Sequence, residues 1–167
     1  MSKLLALDQA SRVSGWAFFD NGELKEFGKI VVSDDDIGER LYKIRTEVQN
    51  LINKFEIDEI VFEDIQLQTN VGNNVQTFKI LAEVFGIIYE LATELKIKNT
   101  AVLSGVWKSA LGIKGRKRPD QKRNAQLYVN NIYSVSPTQD ECDAICIGAY
   151  ATQHQFLNKD SGFDWSD

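Results

Sequence analysis

Leu4-Leu5-Ala6-Leu7-Asp8-Gln9-Ala10-Ser11-Arg12-Val13-Ser14-Gly15-Trp16-Ala17-Phe18-Phe19-Asp20-Asn21-Gly22 is the stretch that decides the fold. Its first apolar run is four residues long and stops at an acid. After a Gln-Ala-Ser-Arg turn a second apolar run extends from Val13 to Phe19. The Asn21-Gly22 pair that follows suits the two positive-φ positions of a tight hairpin turn, and it leads into a third run, Leu24 to Val32. Three antiparallel strands are therefore expected to open the chain.

Working outward, Ser33-Asp34-Asp35-Asp36 offers N-cap side chains and negative charge for a helix start. Ile37, Leu41, Ile44, Val48, Leu51, Ile52 and Phe55 then recur at helical spacing, which predicts an amphipathic helix. Ile57 to Phe62 is the next expected strand, and it too stops at an acid, Glu63. A polar loop with Asn70, Gly72, Asn73 and Asn74 precedes a long helix over 75–95. Thr100 to Leu103 is expected as a fifth strand, followed by a short helix from Val106 to Leu111 and a basic loop from Gly112 to Arg118. A helix from Pro119 to Asn130 and a last helix from Thr138 to Phe156 complete the set.

The long helix is apolar along two stripes. One runs through Phe78, Leu81, Phe85, Ile88 and Leu95, the other through Ile80, Val84, Ile87 and Leu91. One domain core covers a single stripe of a surface helix. The second predicts full enclosure or a partner chain, and we expect a homodimer through helix 75–95.

At 167 residues with 43% hydrophobic content, the chain fits one domain with a sizeable core, expected over 1–158 with a loose tail over 159–167. The apolar start is too short for a signal or membrane segment, so no membrane association and a cytoplasmic setting are expected. Cys142 and Cys146 lie four apart in a predicted helix without further Cys or paired His, which points to free, buried thiols rather than zinc. The sole histidine, His154, falls near the end of the last helix, where packing or exposure rather than catalysis is expected.

Net charge is −5, yet the segment from Lys114 to Arg123 carries Lys114, Arg116, Lys117, Arg118, Lys122 and Arg123 against Asp120 alone. That segment is +5 and leaves −10 elsewhere. A charge run by itself is an ordinary solvated loop, and its meaning depends on what lies beside it.

Asp8 ends the first strand, Glu63 ends the fourth, and Asp140 and Asp143 share a face of the last helix. Each alone is an unremarked surface acid. Together, at adjacent strand ends, they would repel one another strongly, and the natural relief is a bound divalent cation. Oxygen-only ligands suit Mg²⁺ or Mn²⁺. Two such ions about 4 Å apart activate water and stabilise the leaving oxygen in phosphodiester hydrolysis, while Lys and Arg hold the phosphate backbone nearby.

Leu5-Ala-Leu-Asp8 followed by Ser11-Arg12-Val13-Ser14-Gly15-Trp16 resembles the opening motif of RuvC-type Holliday junction resolvases. Val61-Phe62-Glu63 is similar to that family's second acid motif, and Gln139-Asp140-Glu141-Cys142-Asp143-Ala144 to its Asp-x-x-Asp-Ala motif. The 74–86 helix resembles the family's dimer helix, and Lys108 and Lys122 match its basic residues near the scissile phosphate. The resemblance implies a ribonuclease H-like α/β fold: a five-stranded mixed sheet, three antiparallel strands then two parallel, flanked by helices. It also implies a Mg²⁺-dependent endonuclease that cuts four-way and other branched DNA by paired nicks, leaving 5′-phosphate and 3′-hydroxyl ends.

The chain departs from the pattern in four places, one of them a basic loop richer than usual. Gln9-Ala10 stands where the family has Pro-Gly, Gln66 where it commonly has an aromatic, and the loop after Glu63 is longer. Phe78 is a candidate replacement for the aromatic, and the divergence suggests a phage-encoded member. Rival readings are a structured-RNA nuclease of the YqgF type and a catalytically silent module that only binds branched DNA. Trp107, beside Lys108, is read as either a DNA contact or helix packing, and Glu141 as a solvent-exposed spare acid.

Overall fold

The computed structural model of the protein describes residues 2–66 and 74–155. The expected polar loop with Asn70, Gly72 and Asn73, the end of the last helix at Phe156 and the tail over 159–167 lie outside the described residues.

Five strands form one sheet in the order β3-β2-β1-β4-β5. β1 (Lys3–Asp8), β2 (Val13–Asp20) and β3 (Glu23–Val31) are the antiparallel meander, while β4 (Glu59–Glu63) pairs parallel to β1 and β5 (Lys98–Val102) parallel to β4. The β2–β3 turn has Asn21 at φ 51° and Gly22 at φ 85°, the two left-handed positions that its sequence offers. Helices α1 (Ile37–Phe55), α2 (Asn74–Glu94), α3 (Ser104–Ala110), α4 (Arg118–Tyr133) and α5 (Gln139–Gln155) complete the chain.

Strand periodicity divides the core in two. Leu5, Leu7, Ile60 and Phe62 face α1 and α2 in one cluster, and Leu4, Ala6, Ala17, Phe19 and Val61 face α4 and α5 in the other. By the same alternation Asp8 follows Ala6, and Glu63 follows Val61, onto the α5 side. The last β1–β4 pair is Leu7 with Phe62, so the two acids emerge next to each other as the ladder ends.

Several boundaries move by two or three residues. Ile57 does not begin β4. Glu56 adopts the left-handed conformation (φ 53°) and the Ile57 N–H donates to the Ile52 carbonyl at 3.0 Å, closing α1 in a Schellman turn whose apolar residue returns to the core. Lys96 and Ile97 repeat the device at the end of α2, with Ile97 donating to Ala92 at 2.9 Å. β5 starts at Lys98 rather than Thr100, because an edge strand tolerates polar residues on its solvent side. α3 starts at Ser104 rather than Val106, and α4 starts at Arg118, one residue before Pro119, and runs on to Tyr133.

The two apolar stripes of α2 resolve into one buried face that takes members of both: Val84, Ile88, Leu91 and Ala92 are buried. Phe85 and Ile87 are only partly covered, and Val75 and Tyr89 are 78% and 53% exposed. Within its own chain the helix is thus not enclosed. Among the described residues no helix is long and apolar enough to cross a membrane. Cys142 and Cys146 are free and buried, as expected.

Candidate active site

Asp8 and Glu63 stand at the carboxyl ends of two adjacent parallel strands, and α5 brings Asp140 and Asp143 to the same place. What permits this is Gly15, the β2 partner of Asp8. A Cβ at Gly15 would lie 1.9 Å from the backbone oxygen of Asp140, so only glycine lets the first turn of α5 rest on the sheet there. Further along, Gly148 rests on the Phe19 ring, which a Cβ would meet at 2.1 Å. The start of α5 is capped by half of a capping box: the Glu141 carboxylate accepts from the Thr138 N–H at 2.9 Å and from the Thr138 hydroxyl at 2.7 Å. Glu141 is therefore a cap, not a spare solvent acid.

All four acids are half-buried. Burial pushes the Asp8 carboxyl well above the usual range, and the negative charges of Glu63, Asp143 and Asp140 push it further, with Lys108 partly offsetting them. Glu63 is raised by burial and by Asp143, against the pull of a Trp107 hydrogen bond and of Lys108 and Arg118. Asp143 is raised by burial and by Asp140, against Lys108, Gln139 and Lys122. Asp8 is thus within electrostatic reach of the other three acids.

Neutral groups hold the acids. The Trp107 indole N–H donates to Glu63 Oε2 at 3.2 Å, and the Gln139 amide donates to Asp143 Oδ1 at 3.0 Å. The Gln9 side chain, 8% exposed, binds both backbone groups of Glu63: its Nε2 donates to the Glu63 carbonyl, and its Oε1 accepts from the Glu63 N–H at 3.1 Å. The sequence did not point to Gln9 or Gln139 as holders of the acids, and for Trp107 it offered helix packing but not the bond to Glu63. Gln9 stood out only as a departure from a motif. Trp107, 1% exposed, is not a DNA contact; it packs in the core and turns its N–H to the site.

Of the basic residues singled out, Lys108, Arg118 and Lys122 come close enough to act on the acids. Lys108 Nζ lies 5.3 Å from the Trp107 ring centroid and donates to Gln121 Oε1 at 3.4 Å, so it is near the carboxylates but bonded to a neutral group. Lys114, Arg116, Lys117, Arg118, Lys122 and Arg123 are all exposed, and Arg123 pairs with Asp120 at 3.4 Å. Gln66 is exposed and Phe78 partly covered. His154 stacks on Tyr150 with ring centroids 4.2 Å apart, a packing role.

The donor set is all oxygen, and its negative charge is left uncancelled by any direct ion pair among the salt bridges of the described residues. This chemistry fits a hard divalent cation. Among the described residues no three carboxylates already converge on one point.

No family model matches the chain, and no curated protein does. Solved structures do. RuvC of Thermus thermophilus in complex with a Holliday junction substrate superposes with a TM-score of 0.77 at 15% identity, over 94% of this chain and 96% of that one. The chain has the RuvC-type resolvase fold. The yeast mitochondrial Holliday junction resolvase Ydc2 follows at TM-score 0.61 and 16% identity, over 95% of this chain and 80% of the other. A fowlpox virus resolvase bound to junction DNA follows at 0.55 and 13%, over 92% and 98%. The RuvC-type fold is thus retained at an identity where most side chains differ, with the acid cluster at the open end of its β1–β4 ladder.

Proposed function

We propose that the chain is a structure-selective DNA endonuclease that resolves four-way junctions, and other branched DNA, by paired metal-dependent nicks. The observation that carries this reading is the cluster of Asp8, Glu63, Asp140 and Asp143 with Lys108, Arg118 and Lys122 at its rim. It occurs in a fold shared with proteins solved on junction DNA.

In this reading the four carboxylates hold two Mg²⁺ ions, with Mn²⁺ able to substitute. The bound cations supply neutralisation of the acids, polarisation of a phosphate and a lowered pKa for water. Trp107 and Gln139 keep Glu63 and Asp143 in place without cancelling their charge. Lys108 takes up negative charge building on the scissile phosphate, and Lys114, Arg116, Lys117, Arg118, Lys122 and Arg123 track the flanking backbone. Hydrolysis leaves 5′-phosphate and 3′-hydroxyl ends. The half-covered apolar side of α2 supports a two-fold dimer, which presents two sites to strands of like polarity.

The test is cleavage of an end-labelled synthetic four-way junction beside a fork, a linear duplex and a structured RNA, with and without Mg²⁺, for wild type and Asp8→Asn. Symmetric, Mg²⁺-dependent nicks in the junction are expected. Asp8→Asn should lower the rate by at least about 10³-fold, some 4 kcal/mol of barrier, while junction binding survives. Binding without cutting would favour the silent module, preference for RNA would favour a YqgF-type role, and a monomeric mass on and off DNA would remove the dimer.

A further inference from the structure

Asp8 and Glu63 occupy equivalent strand ends but are held differently. Glu63 is gripped from two directions by residues far off in sequence. On the backbone side, the β1–β4 ladder stops at Leu7 and Phe62, and the Gln9 side-chain amide supplies the next rung, satisfying the N–H and carbonyl of Glu63 together. On the side-chain side, the N–H of the buried Trp107 fixes one carboxylate oxygen. The other edge of this strand end is closed by β5, where the Asp64 N–H donates to the Val102 carbonyl at 2.8 Å.

We propose that Gln9 and Trp107 are positioning residues that brace Glu63 at its backbone and its carboxylate, presetting one ligand for a divalent cation. This rests on the reading of Glu63 as a metal ligand. Both braces are neutral donors or amides, so they constrain the carboxylate without discharging it, which a lysine or arginine in either place would do. A residue held this way loses little conformational freedom when a cation arrives, and groups of this kind are worth about 10–100-fold in metal affinity or activity. The brace also accounts for Gln9 in place of the family's Pro-Gly, since proline has no side-chain amide to offer the neighbouring strand.

The experiment titrates Mn²⁺ alone into wild type, Gln9→Met and Trp107→Phe, following free Mn²⁺ by electron paramagnetic resonance. Metal-free thermal unfolding and junction binding in EDTA are measured alongside. Gln9→Met keeps the buried volume and removes the amide; Trp107→Phe keeps an aromatic ring and removes the N–H. Each variant is expected to bind Mn²⁺ about tenfold or more weakly while binding junction DNA in EDTA like wild type. The Mn²⁺ concentration for half-maximal cleavage should rise in parallel. A merely structural role would lower the melting temperature and leave the Mn²⁺ affinity of the folded protein unchanged, and that result overturns the brace. Should one variant fail to fold, the other decides. Wild type that takes up no Mn²⁺ at millimolar concentration would overturn the metal-ligand reading itself, an outcome distinct from equal affinity in all three proteins.

Discussion

The two faces of the sheet are built from different materials. Against α1 and α2 the sheet presents Leu5, Leu7, Trp16, Phe18, Ile60 and Phe62, and the helices answer with Ile44, Val48, Ile52, Val84, Ile88 and Leu91. Against α5 it presents Leu4, Ala6, Gly15, Ala17, Phe19 and Val61, and the helix answers with Cys142, Ala144, Ile145, Cys146 and Gly148, with small residues at the points of closest approach. Small ones let α5 lie close enough for its first turn to share a site with strand ends. The α1–α2 face gives stability and an apolar surplus; the α5 face, with glycine at its closest contacts, gives chemistry.

The contrast can be broken at its glycines and charges. Gly15→Ala drives a methyl into the Asp140 carbonyl, backbone that cannot rotate away, so the start of α5 must shift. Cleavage should fall about 10²-fold or more from the misplaced acids, with a stability loss on the order of 1–3 kcal/mol by denaturant unfolding. Retained activity would mean that close approach is not what assembles the site.

The basic loop extends the chemical face. Replacing Arg116, Lys117 and Arg118 together with Ala should weaken junction binding and flatten the dependence of log affinity on log salt by about 3, since each phosphate contact contributes about 0.9. A slope that does not change removes this loop from the interface.

A smaller effect follows from the raised carboxyls. Asp8, Glu63 and Asp143 bind protons more tightly folded than unfolded. Their contribution to stability is therefore full below about pH 4, the range of free carboxyls, and is lost as pH climbs through the raised values. Asp34, Glu23 and Glu56 are shifted the other way by lysines, but these pairs are solvent-screened and weigh less. Metal-free protein should melt at a lower temperature at pH 7 than at pH 5, and Asp8→Asn should shrink the difference. Equal melting temperatures would show that the acids do not strain the fold.

The smallest change is on the other face. Gly86, in α2, has open space around a built Cβ. Gly86→Ala should raise stability by about 0.5–1 kcal/mol through helix propensity alone, read by thermal unfolding. Destabilisation there would mean that something packs against this glycine.

The sequence made the strand meander legible because alternation and Asn21-Gly22 are local signals, and it flagged the acids because Asp8 and Glu63 each close an apolar run while Asp140 and Asp143 share a helix face. It misplaced Ile57, since an apolar residue next to a strand looks the same whether it starts that strand or seals the helix before it. It divided α2 into two stripes because both stripes contribute to the face that packs. Gln9, Trp107 and Gln139 were illegible for another reason. Glutamine and tryptophan carry no pattern of their own, and for the first two the partner lies 54 and 44 residues away, a pairing that only the folded sheet creates.

α5 touches β2 and its hairpin at three stations: Asp140 over Gly15, Gly148 over Phe19, and Thr152 against Gly22. Between the first two the helix advances eight residues, about 12 Å, while the strand advances four, about 13 Å. Helix and strand are thus geared together two to one, and the gearing has no slack. One residue inserted into α5 between those stations would turn the acids by about 100° relative to the sheet. Length variation in descendants of this chain should therefore be purged from 140–148.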